Sequence, residues 1–314
     1  MASAAEDVVL SVVIPSFNSC DVVLEAIDSA LAQGLEVPFE VVVVDDGSTD
    51  DTPAVLQERK RQAGDRLNVL SLPENQGGGA ARNHGIKNSS GEFIYMLDAD
   101  NVLPEGCVAP QLELARRTQA PAVSVASVQF FGGEGQDLLH LWQMAEAGGQ
   151  SGIDEMFRSI RVPASHGNYL FRRSTFDQVD GYEEGRGAMD AWTFGFKHVA
   201  HGLPVLIAPE TSYLHRVDRP GHDSYWTREQ RSGTNDQNAL QTVLQYAGLL
   251  PATISERVRR LPPDAKLMEL IEAGAFLPEN DLDDVLLKLE KQRDGRSLIG
   301  AIRGLAGRIK GSAQ

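Results

Sequence analysis

The first hundred positions alternate between short, wholly apolar runs and longer stretches with helical spacing. LSVVIP (10–15), FEVVVV (39–44), LNVLSL (67–72) and EFIYMLDAD (92–100) lack the every-second-residue polar pattern of a half-exposed strand. They predict strands covered on both faces. Between the first two, DVVLEAIDSALAQG places Val23, Ile27, Ala30 and Leu31 on one helical face and stops at Gly34. STDDTPAVLQERKRQAG opens with Ser48 and Asp51, a capping-box-like pair, and predicts a helix ending near Gly64. NQGGGAARNHGIKNSSG begins as a glycine-rich loop and continues as a helix. This alternation predicts an α/β fold, with a mixed, mostly parallel, Rossmann-like sheet flanked by helices and right-handed crossovers. Ligands of such sheets sit beyond the carboxyl ends of the strands. PSFN, DDGSTD, PENQGGG and DAD all fall at those ends.

The pattern loosens over 101–225. PAVSVASVQFFGG predicts one or two further strands, and ASHGNYLFRRSTFDQVDGYEEG mixes strand, turn and helix. Beyond about 226 the character changes again. NDQNALQTVLQYAG, PATISERVRRL, PDAKLMELIEAG and PENDLDDVLLKLEKQR read as short helices, several with proline at the first turn. The expected division is an α/β domain over 1–225 and a helical C-terminal extension over 226–314. In the tail, SLIGAIRGLAGRIK aligns Leu298, Ile302, Leu305 and Ile309 on one face, with Arg303, Arg308 and Lys310 elsewhere. Such a basic amphipathic helix can lie on an anionic membrane, pack on the domain, or fray at its glycines.

Charge narrows the function classes. A formal net charge of −15 argues against a nucleic-acid binder, which needs cationic surface to meet phosphate. It leaves room for a small anionic ligand held locally or through a metal. Cys20 and Cys107 show no metal-ligand spacing and suit a reducing cytoplasm. The N-terminus MASAAEDVVL lacks the basic and apolar regions of a signal peptide. No run approaches the roughly 20 apolar residues of a membrane span. The expectation is a cytoplasmic protein, at most attached to the inner face of the membrane through 297–310.

The acids at the strand ends carry the chemistry. On an extended segment Asp98 and Asp100 would share one face, and two adjacent carboxylates call for a proton or a hard cation such as Mg²⁺ or Mn²⁺. Alone, the same pattern fits two solvated loop acids. The glycines before Arg82 and Asn83 would present backbone N–H groups to an anion, although a flexible turn reads the same way. The run does not match G-x-G-x-x-G, and no Walker lysine motif is present.

In this order and spacing, SVVIPSFN, VVVVDDGSTDDT, ENQGGGAARNHGI and EFIYMLDADNVLP resemble the N-terminal half of a family 2 glycosyltransferase with the GT-A fold. The resemblance covers about 9–105 closely and 165–220 more loosely. It implies a nucleotide-binding half over 9–105 and an acceptor half over 106–225. It implies a metal-dependent, inverting transfer of a sugar from a nucleotide-diphosphate sugar, a UDP-sugar first, to a hydroxyl of a carbohydrate, lipid-linked or other acceptor. Pro15 and Phe17 then resemble positions beside the nucleoside, and Asp46 the carboxylate that meets the base. Arg82 and Asn83 resemble the diphosphate and donor-sugar contacts, Asp98 a ribose or sugar contact, and Asp100 the residue that ligates Mg²⁺ or Mn²⁺.

The family's catalytic acid follows a G-x-x-E segment, commonly as the second of an acidic pair. In GYEEGRGAMDAWTFGFK, Asp190 matches that acid while Met189 replaces its neighbour. Asp190 is the expected base, its pKa raised beside Met189 and Trp192, with Glu183 and Glu184 as alternatives. His215, or else His222, would supply a further metal or phosphate contact beside Arg216 and Arg219, and HGN (166–168) would line the donor or acceptor pocket. Two other readings stay open. One is a non-catalytic nucleotide-sugar binder, because the acidic pair is incomplete. The other is a sugar-phosphate nucleotidyltransferase, which would need a catalytic lysine near the N-terminus, whereas the first lysine is Lys60.

Overall fold

The computed structural model describes residues 7–132, 137–144, 150–217 and 232–291. The first half is the expected alternation of β1 (Leu10–Ser16), α1 (Val23–Leu31), β2 (Phe39–Asp45), α2 (Thr52–Ala63), β3 (Leu67–Ser71), α3 (Gly78–Lys87) and β4 (Phe93–Met96). α4 (Val108–Thr118) leads into a single long strand, β5 (Ala122–Gly132). β6 (Asp137–Gln143), β7 (Gln150–Ser151), α5 (Ile153–Met156), β8 (Leu170–Arg172), α6 (Arg173–Gln178), α7 (Asp190–Ala200) and β9 (Val205–Arg216) follow. α8 (Thr234–Gln245), α9 (Ala252–Arg259) and α10 (Leu267–Glu272) form the helical C-terminal region.

The strands build one nine-stranded sheet in the order β3-β2-β1-β4-β8-β5-β9-β7, with β6 on β5. β3, β2, β1 and β4 run parallel. The second half makes the sheet mixed, as expected. β8 enters between β4 and β5 antiparallel to both, while β5 and β9 run parallel. Both faces of the first half are covered. Val12, Ile14, Val41 and Val43 pack with α1 and α4 on one side, and Val13, Val42, Ile94 and Met96 pack with Ile86 of α3 on the other. This double burial is why the valine run of β2 carries no polar alternation.

Two local expectations are corrected. Ser48 and Asp51 form no capping box: Asp51 precedes α2 without a side-chain cap bond. Asp50 accepts the Thr52 N–H instead (2.9 Å), and Ser48 Oγ accepts the Asn18 N–H (2.9 Å), drawing the loop onto the end of β1. Asp98 and Asp100 also do not sit on one extended face. β4 ends at Met96, and the Asn101 N–H bonds back to the Asp98 carbonyl in a turn (3.0 Å). That turn delivers Val102 to its bridge with Leu214 of β9.

The C-terminal helices continue the core of the α/β unit. Ala239, Leu240 and Val243 of α8 share one apolar cluster with Trp192, Phe194 and Phe196 of α7 and with Leu267, Leu270 and Ile271 of α10. Asp236 of α8 accepts the Met268 N–H at the start of α10 (2.9 Å). Among the described residues no helix is long and apolar enough to cross a membrane.

Candidate functional site

The loops after β1, β2, β3 and β4 meet at one edge of the sheet. Phe17 follows β1 with 44% of its surface exposed, unusual for a phenylalanine beside a strand end, and Pro15 is half-buried. Asp45 and Asp46 at the end of β2 are both buried and do different work. Asp45 accepts the Ser48 N–H within its own loop (3.1 Å). Asp46 accepts the Gln76 and Gly77 N–H groups, one on each oxygen (2.8 Å each). It therefore ties the loop after β2 to the glycine turn that starts α3. Burial raises the Asp46 pKa, with those two hydrogen bonds opposing.

Arg82, on the second turn of α3, is the hub. Its Nη2 donates to Asp98 (2.6 Å) and its Nη1 to Asp190 (2.5 Å), joining carboxylates from distant parts of the chain through one buried guanidinium. Burial works against the Arg82 charge, but Asp190 and Asp98 outweigh it and hold the group cationic. The two acids diverge. Burial pushes the Asp190 carboxyl up, and Arg82 only partly offsets this. Burial also pushes Asp98 up, but Arg82 and Asn168 more than compensate and hold it below the usual range. The difference is physical. The Asp98 side chain keeps 27% of its exposure against 8% for Asp190, and Asn168 donates to it as well (3.0 Å). Environments that split the pKa values of paired acids are the usual basis for separate roles.

Asp190 is the first residue of α7 and is buried there. It lies between buried Met189 and Trp192, as the sequence suggests. The glycine turn of α3 makes room for it: a Cβ on Gly78 would lie 2.5 Å from the Asp190 carboxylate, and one on Gly79 2.6 Å from the Glu183 carbonyl. Asn83 has a structural task. It exchanges hydrogen bonds with the Tyr182 backbone (2.8 and 3.0 Å) and donates to Glu184 (3.1 Å). Both of its N–H groups and its carbonyl are thereby engaged with the segment that precedes Asp190.

Asp100 and His215 are brought together by the Val102–Leu214 bridge. Burial holds His215 below the ordinary histidine pKa, with Asp100 and then Asp98 opposing. Among the described residues no three His, Cys, Asp or Glu side chains form a metal cage. One carboxylate and one imidazole still fit a hard divalent ion whose remaining ligands are substrate phosphates and water. Arg216 pairs with Glu25 and lies over the Phe131 ring. His222, Arg219 and the 297–310 stretch lie outside the described residues.

Three contributors have partners that residue-by-residue reading does not give, two of them in the HGN run. Asn168 holds Asp98 from two sides, accepting its N–H (2.7 Å) as well as donating to its carboxylate. The HGN run was its signal, but not its partner. His166 is half-buried, bonds Ser124 (2.7 Å), and is pulled down to about 3 by the desolvation of its ring. Lys197 is buried in α7, beside buried His198 in the otherwise largely apolar run AWTFGFKHVA.

The sequence signature of Glycosyl transferase family 2 matches residues 11–180, more than half of the chain. The chain belongs to that family, and its sheet and flanking helices form a GT-A fold. The chain is 44% identical over 100 residues to the Succinoglycan biosynthesis protein ExoU of Rhizobium meliloti, a match over 32% of this chain and 28% of that protein. It is 34% identical over 104 residues to the Putative teichuronic acid biosynthesis glycosyltransferase TuaG of Bacillus subtilis, over 33% and 40% of the two chains. The matches thus span less than half the length of these relatives. Among solved structures, S. aureus TarS 1–349 superposes with a TM-score of 0.59 at 18% identity, over 86% of this chain and 72% of that one. The complex of TarS 1–349 with UDP-GlcNAc gives 0.58 at 17%, over 91% and 92%. At such identities the likeness is one of fold.

Proposed function

We propose that this protein is a metal-dependent, inverting glycosyltransferase that moves a sugar from a nucleotide-diphosphate sugar, a UDP-sugar first, to an acceptor hydroxyl in polysaccharide or glycoconjugate synthesis. The observation that carries the reading is Arg82 bridging Asp98 and Asp190, which sets a donor-side acid and a buried acid on one cation. The TarS complexes with UDP and UDP-GlcNAc support the donor class, and the names of the relatives support the product class.

In this reading Phe17 and Pro15 flank the nucleoside, Asp46 shapes the base-side loop, and Asp98 meets the ribose or sugar. Asp100 and His215 would hold a divalent ion, Mg²⁺ or Mn²⁺, which when bound would supply positive charge against the departing diphosphate. Donor phosphates compete for Arg82 and draw its charge away from Asp190. The freed carboxylate takes the acceptor's hydroxyl proton as that oxygen attacks the anomeric carbon. The bond from the anomeric carbon to the diphosphate oxygen breaks with its electron pair on the diphosphate, and in-line attack inverts the centre.

Asp190→Asn tests this directly. Transfer, or UDP release from a UDP-sugar in water, should fall about a hundredfold or more, with UDP affinity by calorimetry retained. The pH dependence has a definite sign. Turnover needs ionised Asp190, and burial raises its pKa, so the rate should fall with acid at a higher pH than an ordinary carboxylate would give. Unchanged turnover in Asp190→Asn would remove Asp190 from the chemistry. Nucleotide binding without turnover in the parent protein would make it a nucleotide-sugar binder.

A further inference from the structure

We infer that α8 is a positioning clamp for the 181–189 segment that leads into Asp190, which gives the helical C-terminal region a part in the reaction. The inference rests on the glycosyltransferase reading of Asp190. The segment lies between two walls. On the donor side, α3 holds it through Asn83 and through the contact of Gly79 with the Glu183 carbonyl. On the other side, one face of α8 grips it. Asn238 donates to the Arg186 carbonyl (2.9 Å), and the Arg186 guanidinium donates to Gln241 (2.9 Å) and Gln245 (3.2 Å). These three α8 residues are spaced three and four apart, so they share a face. Tyr246, just past the helix, donates to Glu183 Oε1 (2.9 Å).

Lys197 of α7 locks the segment from beneath. Its Nζ donates to the Gly181 carbonyl (2.7 Å) and lies 3.5 Å from Glu183 Oε1. Glu183 is thus met by a phenol, an ammonium and, at 3.4 Å, the Arg186 guanidinium. Burial pushes Glu183 up, but these partners outweigh it and hold the carboxylate ionised, while burial lowers the deeper Lys197. The two directions agree with their depths: Lys197 is nearly fully buried, whereas the Glu183 side chain keeps 17% exposure. Glu183, Arg186, Lys197 and the α8 partners all lie beyond residues 11–180, the stretch that matches the family.

The test uses the full chain with Tyr246→Phe, Arg186→Ala and the surface double variant Gln241→Ala/Gln245→Ala. Hydrogen exchange of a peptide covering 181–192 reads the clamp without any need for turnover. UDP release from UDP-GlcNAc and UDP-glucose reads the chemistry, and UDP calorimetry reads the donor site. The clamp predicts faster exchange over 181–190, unchanged UDP affinity, and a fall in kcat of roughly tenfold from a loosened base. Arg186→Lys, which keeps one donor, should recover part of the loss. Unchanged exchange in all variants overturns the clamp. Faster exchange with kcat unaltered overturns the positioning role, as does a parallel loss of UDP affinity, which would mean general disruption. If the parent protein releases UDP from neither sugar, the glycosyltransferase reading fails for these donors, and the exchange data still decide the clamp.

Discussion

The donor side and the Asp190 side of the site are built differently. On the donor side, Phe17, Asp46 and Asp98 stand at or just past the ends of parallel strands, and chain direction brings them to one edge before any side-chain bond is made. On the other side, Asp190, Glu183, Asn168 and Lys197 come from loops and one helix, and long-range side-chain bonds hold them. A parallel sheet delivers strand ends to one edge without further help. An irregular segment has no such frame and must be tied down residue by residue. Arg82 is where the two modes meet.

The largest effect should come from breaking that junction. Arg82→Leu leaves two acids beside an apolar side chain and should cost about 3 kcal/mol or more in urea unfolding at pH 7. Without its cation, Asp190 would bind a proton more readily in the folded state than in the unfolded one. The deficit should therefore shrink as pH falls. A loss of stability independent of pH would show that the acids do not share the cation.

Asp46→Ala tests the donor side alone. Two charge-assisted hydrogen bonds to Gln76 and Gly77 disappear, for about 2 to 3 kcal/mol of folding stability. UDP affinity should fall with it, because the proposed base-side contacts lie on the same loop. A stability loss with unaltered UDP affinity would make Asp46 purely a loop tie.

The Asp190 side is the more acid-sensitive. His198, buried against Phe194 and Tyr169, is held down to about 3 from an ordinary 6.5 by burial. A depressed histidine pKa means that the unfolded chain takes up the proton first. Stability is thus intact above 6.5 and is lost as pH falls from there toward 3. Between pH 7 and pH 5 the loss should be about 2 kcal/mol, absent in His198→Leu. A slope unchanged by the substitution would place the acid sensitivity elsewhere. Phe17→Ala should have the smallest effect. Folding stability should be unaltered, and UDP affinity should weaken by about 1 kcal/mol if the exposed ring stacks on a base.

Much of the donor side was legible because its signals are local. A wholly apolar run means a strand covered on both faces, and acids or glycines just after it fall at the carboxyl edge. The Asp98–Asp100 geometry was misread for a tertiary reason: β4 stops at Met96 so that Val102 can reach β9. Ser48 was misread as a cap because its partner is Asn18, on another loop. Asp190 was found through its motif. Its ion pair with Arg82, the grip of Asn168 on Asp98, and the network of Lys197 and Tyr246 have no local signature.

The sequence by itself determined the alternation of elements, the parallel first half, the edge at which the candidate site residues gather and the identity of the candidate acids. These follow from hydrophobic period and from chain direction, which act over a few residues. Tertiary structure alone decided that β8 reverses the sheet, that one arginine serves two carboxylates, and that α8 grips the segment before Asp190. Each of these depends on groups far apart in the chain, and burial sets the strength of the ionic contacts among them, raising one acid and lowering another around the same cation.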